Sequence, residues 1–230
     1  FNIAGNWEIT LGRFGIKYVN ILRYGFVNKL IIILISFILP SLSVMLIKRL
    51  FKIKNKILLI LVTALIAIAP QFTETYMFIY CADAYILAFF LGILSVYFLS
   101  KAKNKYYFLS ILCTIGVCSL YQAYLGVMIG SCIMLIAKYI LDGNSFKEAI
   151  KKFLIFMTLI FIGIVLYYII LQIILSISGL SLASYKGANS LGIETIKSIP
   201  SSIIQCFKDF YAFFFTNKII NSSYYDWEDM

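Results

Sequence analysis

Six apolar stretches divide this chain, and the short gaps between them carry very unequal charge. The gaps Lys48 to Lys56, Lys101 to Lys105 and Lys138 to Lys152 hold twelve Lys/Arg and two acids, Asp142 and Glu148. The rest of the chain holds the remaining eight basic residues against eight acids. Short loops rich in Lys and Arg stay on the cytoplasmic side of a membrane, so the basic gaps label one face. The net charge of +10 is then an orientation signal, and no nucleic-acid partner is expected from it. Hydrophobic residues make up 62% and charged residues 13%, too apolar a balance for a domain surrounded by water. These features predict an all-α, polytopic membrane protein whose partner is the lipid bilayer.

A helical span needs about 20 apolar residues. Leu30 to Ile47 meets this, with Pro40 as an expected kink. Ile57 to Ala69 is short before Pro70 and is expected to end near the outer interface. Gln71 to Asp83 mixes Glu74 and Asp83 with Phe72, Tyr76, Phe78 and Tyr80, the composition of an interface belt. Ala84 to Ser100 returns to the basic side. Tyr106 to Leu141 is too long for one crossing and would put two basic gaps on opposite faces. A hairpin of two spans, its apex at Leu120-Tyr121-Gln122-Ala123-Tyr124, solves both problems. Gly126 and Gly130 are expected to let the returning helix pack closely. Phe153 to Ser178 is the sixth span, long enough to tilt. The count is therefore six spans within residues 30–178, flanked by outer segments 1–29 and 179–230, all in one transmembrane domain. In the last segment Ile196, Ile199, Ile203, Phe207, Phe210 and Phe214 recur at steps of three and four. Pro200 suits a first helical turn, so an amphipathic helix along the interface is expected.

The chain reads as an internal fragment. It contains no His, which removes imidazole bases and His-ligated metals. The five cysteines lack metal or redox spacing; Cys81 and Cys206 fall on one predicted face, but nothing in their spacing favours a pair. No phosphate-binding loop, dinucleotide fingerprint or metal-ligand cluster occurs, so neither cofactor nor metal is expected. Candidate binding residues lie at the outer face. Glu74 and Asp83 suit a sugar hydroxyl or, equally, a solvated interface. Tyr121, Gln122 and Tyr124 at the hairpin apex suit sugar hydrogen bonds and ring stacking, or interface anchoring. Glu8 and Arg13 sit together in the first segment, where an Arg fork pairs with a phosphate or a lipid headgroup. Asn221-Ser222-Ser223 matches a glycosylation sequon, a match too common to use.

Three of these segments carry a family resemblance. Trp7-Glu8-Ile9-Thr10-Leu11-Gly12-Arg13-Phe14, Ala69-Pro70-Gln71-Phe72-Thr73-Glu74 and Leu120-Tyr121-Gln122-Ala123-Tyr124 resemble, in the same order, motifs of bacterial type II O-antigen glucosyltransferase-like proteins. The resemblance runs from residue 7 to about 178. It implies a fold of the GT-C type in the bacterial plasma membrane with its active face outward. It also implies a polyprenyl-phosphate-linked sugar donor, with glucose the expected sugar, and a surface polysaccharide acceptor such as O-antigen. The family's acidic pair is expected just upstream of Trp7, which leaves the catalytic residues unassigned. Arg13 or Lys17 would stabilise the phosphate leaving group, and a carboxylate would take the acceptor proton. The alternative from another class is a transporter or flippase for a lipid-linked or small polar solute. Such proteins show inverted repeats or mid-span ionisable groups, and neither is legible here.

Overall fold

The computed structural model describes residues 6–22, 28–184, 193–212 and 215. Phe214 and the sequon at Asn221 lie outside the described residues. The chain packs as two units, Phe1–Leu182 and Ala183–Met230.

All regular structure among the described residues is helical. The first unit opens with two short helices, α1 (Asn6–Thr10) and α2 (Phe14–Leu22). The long helix α3 (Lys29–Phe51) follows, capped by the Asn28 side chain and continuing through Pro40. Asn55 caps α4 (Lys56–Ala67) in the same way, accepting from the Ile57 N–H at 2.8 Å. Pro70, whose missing N–H costs nothing in a first turn, starts α5 (Pro70–Met77). Then come α6 (Ala82–Ser100) and α7 (Asn104–Leu120). A 3₁₀ turn at Gln122–Tyr124 links α7 to α8 (Leu125–Leu141), and α9 (Phe146–Ser178) completes the unit.

Helix α6 is the axis of the unit, packing against α3, α7 and α8, with α7 and α8 also meeting α9. Its small and apolar residues Ala84, Ala88, Gly92 and Val96 are fully enclosed or nearly so. Between α6 and α7 the contact is polar: the Ser95 and Ser110 hydroxyls lie 2.8 Å apart, and the Ser95 hydroxyl also donates to the Ser110 carbonyl at 3.2 Å. Hydrogen bonds of this kind join helices where the surroundings are equally apolar on all sides. The outward faces are the reverse of a soluble protein's. Leu30, Leu34, Phe37 and Ile38 on α3 are exposed, as are Phe161, Ile169 and Ile173 on α9. Such faces need hydrocarbon as solvent.

Four helical stretches are long and apolar enough to cross a membrane: Lys29–Phe51, Ala82–Ser100, Gln122–Leu141 and Phe146–Ser178. This corrects the expected six. All six apolar helices form in the expected order, but α4 has 12 residues, about 18 Å at 1.5 Å each, and α7 has 17. The first is cut short where Pro70 opens a new helix. The second is trimmed by the loop at Lys101 and the break at Tyr121, and carries Ser110, Thr114 and Ser119 into the protein interior.

Other expectations also change. The basic stretch before Phe153 is not separate from the last span; both belong to the 33-residue α9. At about 50 Å it exceeds a ~30 Å hydrocarbon core by several turns. Neither Gly126 nor Gly130 has an atom within 4 Å of where its Cβ would stand. Close approach falls instead at Gly163, where α9 lies on Thr114 of α7, and at Gly15, where α2 lies on Ser119.

The second unit contains the expected helix, α10 (Ile193–Tyr211). Pro200 stands inside it rather than in its first turn. Ile203, Phe207 and Phe210, at steps of four and three, are all exposed.

Candidate functional site

The segment Trp7 to Phe14 folds as a helix end followed at once by a helix start. Gly12 adopts φ +78°, a left-handed conformation that favours glycine. The Gly12 N–H donates to Ile9 O at 2.9 Å and the Arg13 N–H to Glu8 O at 2.7 Å. This pair of bonds is the Schellman pattern, with glycine at the position after the cap. Because α2 begins at Phe14, Arg13 is fixed at the corner between two helices.

The corner is clamped from across the sequence. Tyr167 on α9 donates its hydroxyl to Gly12 O at 2.8 Å and accepts from Gln122 Nε2 at 2.9 Å. Gln122 also reaches Leu11 O at 3.4 Å, and the Phe14 and Tyr167 rings stack with centroids 5.8 Å apart. A Cβ on Gly12 would run into the Tyr167 hydroxyl.

Arg13 lies on a tyrosine pair. Its Nη1 donates to the Tyr85 hydroxyl at 2.9 Å, and its guanidinium carbon stands 4.8 Å from the centre of the Tyr121 ring. Tyr85 and Tyr121 stack on each other at 4.2 Å. A cation over an aromatic face gains about 0.5 to 2 kcal/mol, and the contact uses none of the guanidinium's donors. One of its five N–H groups goes to Tyr85, and Nε is shielded from solvent with no hydrogen-bond partner among the described residues. Glu8 is half-buried, and its Oε2 is likewise shielded without such a partner.

The turn before α6 completes this end. Burial, the neighbouring Cys81 and the Glu8 charge all raise the Tyr80 hydroxyl above its usual pKa, while Arg13 opposes them. Burial pushes the Cys81 thiol up to about 11; the Tyr85 hydrogen bond and Arg13 pull it down, Asp83 and Glu8 push it further. Glu8 and Arg13 are therefore both felt at Tyr80 and Cys81, and Asp83 at Cys81. Asp83 is buried in the first turn of α6, where the helix dipole favours a carboxylate, and its Oδ1 accepts from the Ala84 N–H at 2.9 Å.

Of the residues singled out from the sequence, the structure groups Glu8, Arg13, Asp83, Tyr121 and Gln122. Tyr124 is a buried strut: its hydroxyl lies 3.5 Å from Thr75 on α5, and its ring meets Tyr121 and Phe89 edge-on. Glu74 is exposed on α5 beside Thr75 and makes no hydrogen bond or ion pair among the described residues. Lys17 is exposed on α2. Sequence reading passed over Tyr85 and Tyr167, whose hydroxyls organise the cluster. A phenol inside an apolar span is the signal that was there to find, because a polar group at membrane depth needs a partner.

The cluster sits at one end of the bundle and the basic loops at the other. Helix α6 runs from Cys81 and Tyr85 to Lys101, about 28 Å for its 19 residues. Helix α7 returns from Lys105 to Tyr121. The basic end holds a cavity of about 670 Å³ lined by residues of the basic gaps. What the opposite end offers is a cation held on a tyrosine pair with its Nε unpartnered among the described residues, the carboxylates of Glu8 and Asp83, and phenol and amide groups. Comparisons with curated proteins and with solved structures give no match. The model of the glucosyl transferase GtrII family matches residues 1–225, and the chain belongs to that family of membrane glucosyltransferases.

Proposed function

We propose that the protein transfers glucose from a polyprenyl-phosphate carrier to O-antigen or a similar surface polysaccharide, in the bacterial plasma membrane and on its outer face. The observation that carries the reading is the Arg13 cluster at the end of the bundle away from the basic loops. Arg13 binds the donor's phosphate through its unengaged N–H groups. Glu8 holds a sugar hydroxyl, and Tyr121 and Gln122 line the sugar. Asp83, Glu74 and Tyr124 contribute from the same end. In the reaction the acceptor oxygen bonds to the anomeric carbon as the carbon–oxygen bond to phosphate breaks. The phosphate leaves with the electron pair, and a carboxylate takes the hydroxyl proton. Charge that builds on the leaving oxygen is what a preorganised guanidinium stabilises. Nothing in this chemistry calls for a nucleotide, since the lipid carries the activated sugar.

The experiment offers the full-length protein, reconstituted in liposomes, two donors: polyprenyl-phosphate glucose and a nucleotide-linked glucose. Transfer to purified polysaccharide is expected from the lipid donor alone. Transfer from the nucleotide sugar would overturn the donor assignment.

A further inference from the structure

The basic end of the bundle is a second concave site. Its cavity draws Arg49 and Lys52 from α3 and its cap, Lys101 from the α6–α7 loop, Lys138 from α8, and Lys151 and Lys152 from α9. The acids on its wall are Asp142 and Glu148. Six cations against two acids leave a local excess of +4. Asp142 is committed to Lys138, with Nζ 2.6 Å from Oδ2, and Glu148 accepts from the Tyr139 hydroxyl at 3.1 Å. Lys101 lies 4.6 Å from the centre of the Tyr97 ring and Lys152 3.7 Å from that of Tyr139. Those ring faces hold the ammonium groups in place without neutralising them. Like charges gathered from four segments into one concavity repel, and an anion relieves that repulsion.

The remainder of the wall is apolar. Leu50, Leu135, Ile136, Ile155 and Phe156 line the same cavity. A small hydrated anion would satisfy the charge and leave that surface idle. An amphiphile with a phosphate head uses both. We propose that this cavity binds one anionic phospholipid, its phosphate held by Arg49, Lys101, Lys151 and Lys152 and its upper acyl carbons set against the apolar wall. Basic pockets between membrane helices recognise anionic headgroups in this way. The inference requires the bundle to sit in a bilayer; it does not depend on the sugar-transfer reading.

The test titrates the full-length protein in detergent with phosphatidylglycerol and counts bound lipid by native mass spectrometry. Phosphatidylcholine with the same chains and glycerol 1-phosphate serve as the uncharged-lipid and chainless arms. One phosphatidylglycerol is expected to be retained, phosphatidylcholine should not displace it, and glycerol phosphate should compete only at far higher concentration. Removing a cation near a lipid headgroup costs roughly fivefold in affinity. The pair Lys101→Gln and Lys152→Gln should therefore weaken retention about twenty-five-fold. The pair Lys101→Arg and Lys152→Arg should retain lipid. Lys54→Gln with Lys56→Gln removes the same charge from outside the cavity and should change retention less than twofold. Equal loss in both Gln pairs would mean diffuse attraction and overturn the site. So would equal retention of phosphatidylcholine, which the unmodified protein tests directly. Glycerol phosphate binding as tightly as the lipid would reduce it to a free-anion site and overturn the lipid assignment.

Discussion

At the scale of single residues the candidate site depends on Gly12 and Tyr167. Tyr167→Phe keeps the stack on Phe14 but deletes the donor to Gly12 O and the acceptor for Gln122. Leaving such buried partners unmet costs about 1 to 3 kcal/mol. The expected outcome is a transfer rate down by roughly tenfold at near-normal membrane abundance. Gly12→Ala adds a left-handed backbone penalty of about 1 to 2 kcal/mol to a collision with Tyr167, so it should be the more damaging change. Transfer assays alongside quantitative immunoblots check both; wild-type transfer by Tyr167→Phe would show that the clamp is not needed. The Trp7 to Phe14 motif was legible because its order is local. Tyr85 and Tyr167 were not, since they meet Arg13 and Gly12 across 72 and 155 residues. Local spacing carries no information about such pairs.

At the scale of elements, charge and hydropathy gave the six apolar helices and their order, including the break at Leu120 and the end of α4 before Pro70, but not the helix that Pro70 starts, which read as an interface belt. They failed on closeness. Small residues four apart on α8 read as a packing face, yet that face is open. The real approach is at Gly163, whose neighbour Thr114 lies 49 residues earlier and whose added Cβ would stand 2.7 Å from it. Which glycine faces a neighbour depends on helix rotation, and an almost uniformly apolar helix hides its rotation. Gly163→Val should therefore lower thermal stability in detergent, by about 1 to 3 kcal/mol as overpacking does. Gly126→Val should stay within about 0.5 kcal/mol on the same thermal melt. The reverse ranking would mean that α7 and α9 do not pack as described.

At the scale of the whole molecule, the basic gaps and the Arg13 cluster occupy opposite ends of the first unit. Four cysteines are buried and Cys206 is exposed, so Cys206→Ser provides a quiet background for labelling. Single cysteines at Lys54, Lys103 and Ser145 should resist an impermeant maleimide in intact cells, and one at Asn6 should react. Labelling at Lys103 would refute the alternation. Family membership decides for an enzyme over a transporter, and the central claim is then that Arg13 grips the donor's phosphate. Lysine keeps the charge but loses the fork and its place on the Tyr121 ring. The most direct measurement is transfer from purified polyprenyl-phosphate glucose at saturating acceptor by wild type, Arg13→Lys and Arg13→Ala. Losing a charge-assisted contact of about 1.5 to 3 kcal/mol predicts rates down roughly ten- to a hundredfold, Ala below Lys. Wild-type rates for Arg13→Lys would contradict it.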